Sequence, residues 1–214
     1  QRQMCIRDRS LFMCHVAAST LMQGKNVLYI TLEMAEERIA ERIDANLLNL
    51  TMSELKVVDK NAYENRVSKI AGKTQGKLII KEYPTASAHS GHFRALIEEL
   101  KTKREFTPDV LIIDYLNICA SARLKMGASV NSYMYIKSIA EELRGLAVEY
   151  NVPVLSATQV TRSGFNSSDV ELTDTSESFG LPATADLMFA LIRSEELDDL
   201  NQIMVCLLYT SPSP

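Results

Sequence analysis

Four polar residues follow apolar runs of strand length, and they give the first chemical lead: Glu33 after YITL, Asp114 after VLII, Gln159 after VLSAT and Arg193 after FALI. In open parallel sheets, ligands bind in the crevice at the carboxyl ends of the strands, near the point where strand order reverses. Residues at such ends therefore carry the most information. A strand-end Asp can hold a hard divalent cation beside a polyphosphate, or it can do no more than cap the next turn. A second carboxylate on a neighbouring strand end, Glu33, can polarise an attacking water as a general base. Alternatively, it places negative charge at the start of the helix that opens near Ala35. Gln159 can hydrogen-bond a terminal phosphate and pass its loss to the following loop, or be an ordinary exposed glutamine. Residue types alone leave these alternatives open. Arg193 reads as a structural or surface charge.

The elements that must position these residues alternate along the chain. Leu11, Cys14, Ala17, Ala18 and Leu21 fall at helical spacing and predict a helix from Ser10 to Met22, with Gly24 as its stop. A β-branched and aromatic run predicts a strand over 26–32, and the stripe Ile39, Ile43, Leu47 and Leu50 predicts a helix over 35–50. Helical stretches over 53–57 and 61–74 lead to a strand at 77–82, a polar loop at 84–91 and a helix at 92–103. The strand at 109–114 is apolar on both faces, as parallel strands covered on both sides are. A loop at 117–131, an amphipathic helix at 132–150, a strand at 153–158, a loop at 160–174 and a strand at 186–192 follow. This alternation predicts an α/β fold, a doubly wound and mainly parallel sheet with helices on both faces.

Composition agrees with such a domain. The 214 residues are 46% apolar and 23% charged, which excludes disordered and fibrous classes. The net charge of -4 argues against a protein that coats nucleic acid through a globally basic surface, while leaving local basic loops open. No apolar run approaches the roughly 20 residues that span a bilayer, and QRQMCIRDRS is polar where a signal peptide is apolar. The expected location is the cytoplasm, with no membrane partner. Cys5, Cys14, Cys119 and Cys206 show no metal or disulfide spacing and read as small buried hydrophobes. His15, His89 and His92 have no ligand partners at metal spacing. The helix charges Glu36, Glu37, Arg38, Glu41, Arg42, Glu141, Glu142 and Arg144 are expected on solvated or subunit-facing surfaces.

Taken together, YITLEMAEERIAERIDA (29–45), VLIIDYL (110–116), SYMYIKSIAEELRGLAVEY (132–150), SATQV (156–160) and SFGLPATADLMFA (178–190) resemble the RecA-like motor domain of the DnaB-type replicative helicases. Within that family the resemblance is strongest to the T-even-like bacteriophage branch, and it runs from about Ser10 to Val205. It implies ATP and Mg2+ as cofactors. Glu33 then takes the role of catalytic base, Asp114 that of the Walker B magnesium ligand, Gln159 that of the γ-phosphate sensor, and Ser10 the last position of Walker A. It further implies a homo-hexameric ring around single-stranded DNA, a primase and a helicase loader as partners, and work in the cytoplasm of an infected bacterial host. The DNA-facing loops correspond to 117–131, with Arg123 and Lys125, and to 160–174, with Arg162, Gly164, Ser167 and Ser168.

The sequence departs from this family at both ends. A working P-loop reads G-x-x-x-x-G-K-[ST], whereas Ile6-Arg7-Asp8-Arg9 precede Ser10, with neither glycine nor lysine. CLLYTSPSP stands where the family leads to an arginine finger, so no residue is nominated for that role. Residues 1–9 and 206–214 resemble translated sequencing adapter, so the expected domain is 10–205, truncated at both ends, binding ATP poorly as written. Two other readings stand beside the helicase: another RecA-like ATPase, such as a recombinase or a clock-type ring ATPase, and an ATP-incompetent assembly module.

Overall fold

The computed structural model describes residues 2–125, 130–159, 181 and 184–210, with side chains from Asp8 onward. Strands β1 (Val27–Thr31), β2 (Leu78–Glu82), β3 (Val110–Asp114) and β4 (Val154–Ser156) form one parallel sheet in the order β2-β1-β3-β4. From β1 the chain passes through α2 (Glu36–Leu48), α3 (Met52–Val57) and α4 (Lys60–Ala71) to β2 on one side. It then crosses through α5 (Ser90–Arg104) to β3 on the other side of β1. The direction of winding thus reverses between β1 and β3, which opens a crevice at their carboxyl ends. In register, Thr31 lies opposite Asp114, and Ile113 opposite Ser156.

Successive residues on a strand point to opposite faces, and both faces here are covered. Leu28, Ile30, Leu111 and Ile113 pack with Phe93 and Ile97 of α5 and with Ile139 and Leu143 of α6 (Ser132–Tyr150). Val27, Tyr29 and Ile112 pack with Met13 and Ala17 of α1 (Arg2–Met22) and with Ile39 and Ile43 of α2. Double coverage explains why β1 and β3 are continuous apolar runs rather than alternating ones. The chain is also brought close at Gly76, where a Cβ would stand 2.6 Å from the Lys25 carbonyl oxygen, so glycine is required there.

The structure differs from the sequence reading at several ends. Helix α1 begins at Arg2 rather than Ser10, within the stretch expected to lie outside the domain. Helix α5 begins at Ser90 because His89 caps it, its side chain accepting from the Gly91 amide. Strand β4 is shorter than the predicted 153–158. Strand β5 (Leu187–Ile192) pairs antiparallel with β6 (Met204–Thr210) in a separate two-stranded ribbon, so Cys206–Thr210 belong to a strand.

Candidate active site

The crevice between β1 and β3 holds the two acidic strand ends. Asp114 is the last residue of β3 and 1% exposed. The Tyr29 hydroxyl donates to its Oδ2 at 2.9 Å, and the Ser10 hydroxyl is hydrogen-bonded to the same carboxylate. Behind Tyr29, the Cys14 thiol points at the phenol oxygen at 3.9 Å. Burial pushes the Asp114 carboxyl above its ordinary range, and the bonds from Ser10 and Tyr29 with the charges of Arg9 and Arg42 pull it only part of the way back.

Glu33 is fixed beside Asp114 through the backbone, because the Leu32 amide donates to the Asp114 carbonyl at 2.9 Å. Its side chain opens to solvent. Partial desolvation first, and then the charge of Asp114, raise the Glu33 carboxyl, with Arg9 and Arg42 opposing. A carboxylate held up in this way is a better proton acceptor near neutral pH.

Two guanidinium groups complete the crevice. Nη1 of Arg9 and Nη1 of Arg42 are both buried with no hydrogen-bond partner, and the Arg9 guanidinium carbon sits 4.5 Å from the centroid of the Tyr115 ring. A buried donor left unpaired costs about 1–3 kcal/mol, so these groups suit an anion. The sequence reading nominates neither. Arg42 is expected on a solvated or subunit-facing surface; the signal for its inward turn is its place three residues after Ile39 and next to Ile43, both fully buried.

The third strand end lies on the same edge. Gln159 Nε2 donates to the Tyr115 hydroxyl at 3.0 Å, Thr158 Oγ1 donates to Asn117 Oδ1 at 2.9 Å, and the Leu116 amide donates to the Ala157 carbonyl at 3.2 Å. Glu33, Asp114, Ser10 and Gln159 are thus brought to one edge of the sheet.

Their donor set fits magnesium, a hard cation that takes oxygen ligands, is held by one or two carboxylates and leaves other positions to phosphate and water. The described residues contain no cluster of three or more His, Cys, Asp or Glu side chains able to hold a metal. A P-loop cradle is a different matter. Because α1 is helical from Arg2, the amides from Ile6 onward face carbonyls four residues back and are not free to wrap a triphosphate.

At the base of the first loop, Arg123 Nη2 donates to Glu141 at 2.8 Å and to the Ser138 carbonyl at 3.0 Å, and its Nε lies 3.6 Å from Glu142. The Glu142 side chain, expected on a solvated or subunit-facing surface, is 7% exposed and accepts from Ser121, Ser90, Ser138, Ala122 and Arg123. Lys125 is exposed and carries no ion pair among the described residues. Arg162, Gly164, Ser167 and Ser168 lie outside the described residues. Arg193 is structural, pairing with Asp8 at 2.9 Å and Asp198 at 2.5 Å. Arg144 likewise pairs with Asp186. Cys14 and Cys119 are buried, Cys206 half-buried. Among the described residues no helix is long and apolar enough to cross a membrane.

Acidic strand ends at the switch point of a parallel sheet, with a hydroxyl from the preceding helix on one of them, fit a RecA-like fold. The chain belongs to the DnaB-like helicase C-terminal domain family, whose model matches residues 8–206. It is 46% identical over 200 residues to the DnaB-like replicative helicase of Enterobacteria phage T4, covering 92% of this chain and 42% of that protein. A probable plasmid replicative DNA helicase of Chlamydia psittaci is 32% identical over 178 residues, 82% of this chain and 37% of the relative. The replicative DNA helicase DnaB of Helicobacter pylori is 26% identical over 189 residues, 86% of this chain and 37% of the relative. The chain thus spans about two fifths of the length of these curated relatives. In fold it is similar to a solved ATPase domain, with TM-score 0.74 at 20% identity over 96% of this chain and 74% of that one. A DnaB-like replicative helicase, solved in a study of its interactions with primase, gives TM-score 0.70 at 20% identity, 89% of this chain and 46% of that one.

Proposed function

We propose that this chain is the motor domain of a replicative DNA helicase, which hydrolyses ATP at the subunit interfaces of a six-membered ring, moves along single-stranded DNA and parts the duplex. The observation that carries this reading is the pairing at the switch point of buried Asp114, held by Tyr29 and Ser10, with a raised and open Glu33 on the adjacent strand. Family membership and the names of the relatives support it.

In this reading Asp114 and Ser10 would hold Mg2+. The bound ion would neutralise charge on the phosphates of the substrate, ATP. Asp114 needs its two hydroxyl donors because a buried carboxylate without them would be driven to its protonated, poorly ligating form. Glu33 accepts the proton of the attacking water, and its raised carboxyl suits that task. Arg42, with its unpaired Nη1, supplies positive charge to the same crevice. Gln159 reports the state of the terminal phosphate to the loops that follow. Exposed Lys125, with Arg162, Gly164, Ser167 and Ser168, contacts the DNA backbone, where small polar groups and cations follow phosphates without reading bases. Arg123, already engaged by Glu141 and Glu142, shapes the base of its loop and adds charge there. Primase and a loader are the expected partners; the structural neighbour studied with primase supports the first. The phage relative supports work inside an infected bacterium.

One observation favours a second reading for the chain as written. With α1 continuous through Ser10, the residues leading into Ser10 form no phosphate cradle, and in this second reading the chain is an assembly module that holds ATP poorly. One experiment separates the two. ATP turnover is measured with and without single-stranded DNA, on this chain and on a form whose residues 1–9 are replaced by a G-x-x-x-x-G-K segment leading into Ser10. DNA-stimulated turnover in the replaced form alone is the expected result, slow for want of an arginine finger. Equal turnover in both would reveal a different phosphate site. Absence of nucleotide binding by the replaced form would remove the helicase reading.

A further inference from the structure

The carboxyl ends of β3 and β4 are joined by more than their ladder. Ser156 Oγ donates to the Ile113 carbonyl at 2.8 Å, the Leu116 amide to the Ala157 carbonyl at 3.2 Å, Thr158 Oγ1 to Asn117 Oδ1 at 2.9 Å and Gln159 Nε2 to the Tyr115 hydroxyl at 3.0 Å. The first of these lies within the ladder, and the other three carry the pairing past Ser156, the last residue of β4, the final two joining side chain to side chain. Tyr115 is a stiff anchor, 8% exposed, with one ring face covered by Arg9. Gln159, by contrast, is an exposed side chain with three rotatable bonds, and the Tyr115 hydroxyl is its hydrogen-bond partner.

We propose that Tyr115 is a positioning residue: its hydroxyl holds the Gln159 amide in place and, with the Asn117–Thr158 bond, locks that amide to the base of the 117–125 segment. This rests on the helicase reading above, in which Gln159 senses phosphate and 117–125 approaches DNA. The chemistry is specific. The phenol accepts from Nε2, which leaves Oε1 and the second N–H of the amide for a ligand. Any movement that a ligand imposes on Gln159 is then passed through Tyr115 to η1 (Leu116–Ile118), and so to the segment carrying Arg123 and Lys125. A prearranged segment binds DNA with less ordering cost than a loose one.

The test uses the full chain. The side-chain amide signals of Gln159, assigned by their loss in Gln159→Ala, are compared in 15N spectra of the parent and Tyr115→Phe, and binding of fluorescein-labelled oligothymidylate at low salt is measured by anisotropy. Expected are a shift of the Gln159 amide pair toward the position of a free glutamine with the rest of the backbone spectrum retained, and a dissociation constant raised about fivefold or more. The double variant Tyr115→Phe/Gln159→Ala is expected to bind no more weakly than the weaker single variant, because both remove one shared bond. If the parent does not bind the oligonucleotide, the DNA reading itself is overturned. If the parent binds and Tyr115→Phe lies within about twofold of it, or the two substitutions add, the positioning role alone is overturned.

Discussion

Replacing Glu142 by Gln removes one charge and one oxygen from the most heavily bonded carboxylate among the described residues. The carboxylate accepts from Ser121 Oγ at 2.6 Å, Ser90 Oγ at 2.9 Å, the Ala122 amide at 2.9 Å, and Ser138 Oγ and the Arg123 amide at 3.3 Å each. It also lies 3.6 Å from Arg123 Nε, with its own side chain 7% exposed. Burial alone would raise this carboxyl; the hydrogen bonds from Ser121, Ala122, Ser90 and Arg123 outweigh it and hold the group below the usual range. A bond to an ionised group is worth about 1.5–3 kcal/mol, and bonds on one carboxylate do not add fully. The amide variant keeps one acceptor and turns an NH2 toward donors, so a net loss of about 3 kcal/mol follows. For a chain of this size that lowers Tm by about 6–12 °C. The pH dependence gives a second check. With its folded pKa lowered, Glu142 contributes stability that is complete above the unfolded value of about 4.3 and is lost as pH falls through the folded value. Melting followed by circular dichroism from about pH 7.5 down to about pH 2.5 is therefore expected to show the gap between parent and variant constant above about pH 4.5 and narrowing below it. A Tm within about 2 °C of the parent at neutral pH, or a gap that does not change with pH, would refute the assignment of Glu142 as the anchor of 121–123.

Three further substitutions follow from the same contacts. Tyr29→Phe removes a donor from buried Asp114 and is expected to lower Tm by about 4–8 °C and to weaken Mg2+ binding, measured by melting with and without the ion. Arg42→Met relieves a buried unpaired donor and leaves Tm unchanged or raised. It also withdraws positive charge from Glu33, so in the form carrying a restored P-loop the acid limb of the rate profile moves to higher pH. His89→Asn keeps an acceptor at the start of α5 but removes a titrating one. Burial first and then the charge of His92 lower the His89 pKa, so the parent loses stability as pH falls below the unfolded value of about 6.5. Melts at about pH 7.5 and about pH 5 are expected to show a smaller change in the variant than in the parent.

The central elements are legible because their signals are strong and local. β1 and β3 are unbroken apolar runs, and α6 carries a clear stripe bounded by Asn131 and Asn151, so the sequence places 132–150 to the residue. The acidic ends of β1 and β3 follow directly, and the roles proposed for them rest on five segments that match one family in order. Other features depend on partners far along the chain. Arg2–Arg9 has no apolar period of its own and becomes helical as the leading turns of α1. Cys206–Thr210 reads as a tail until β5 is there to pair with it. Glu142 and Arg42 look like the other charges on their helices. Their distinguishing mark is placement on a buried stripe, Glu142 three residues after Ile139 and four before Leu146, which a count of charges does not register. Tyr29 is hidden for the opposite reason, since an aromatic in a strand reads as core and its hydroxyl reaches the site unseen.

The assignment of roles to the two strand-end carboxylates stands or falls on Glu33→Gln in the form with a restored P-loop. Single-stranded-DNA-stimulated ATP turnover is compared with the parent of that form, and nucleotide affinity is measured alongside. If Glu33 accepts the proton of the attacking water while Asp114 and Ser10 hold the ion, turnover falls by about a hundredfold or more and Mg2+-dependent nucleotide affinity stays within about threefold. Turnover within a few fold of the parent, or a loss of nucleotide binding equal to the loss of turnover, would contradict the account.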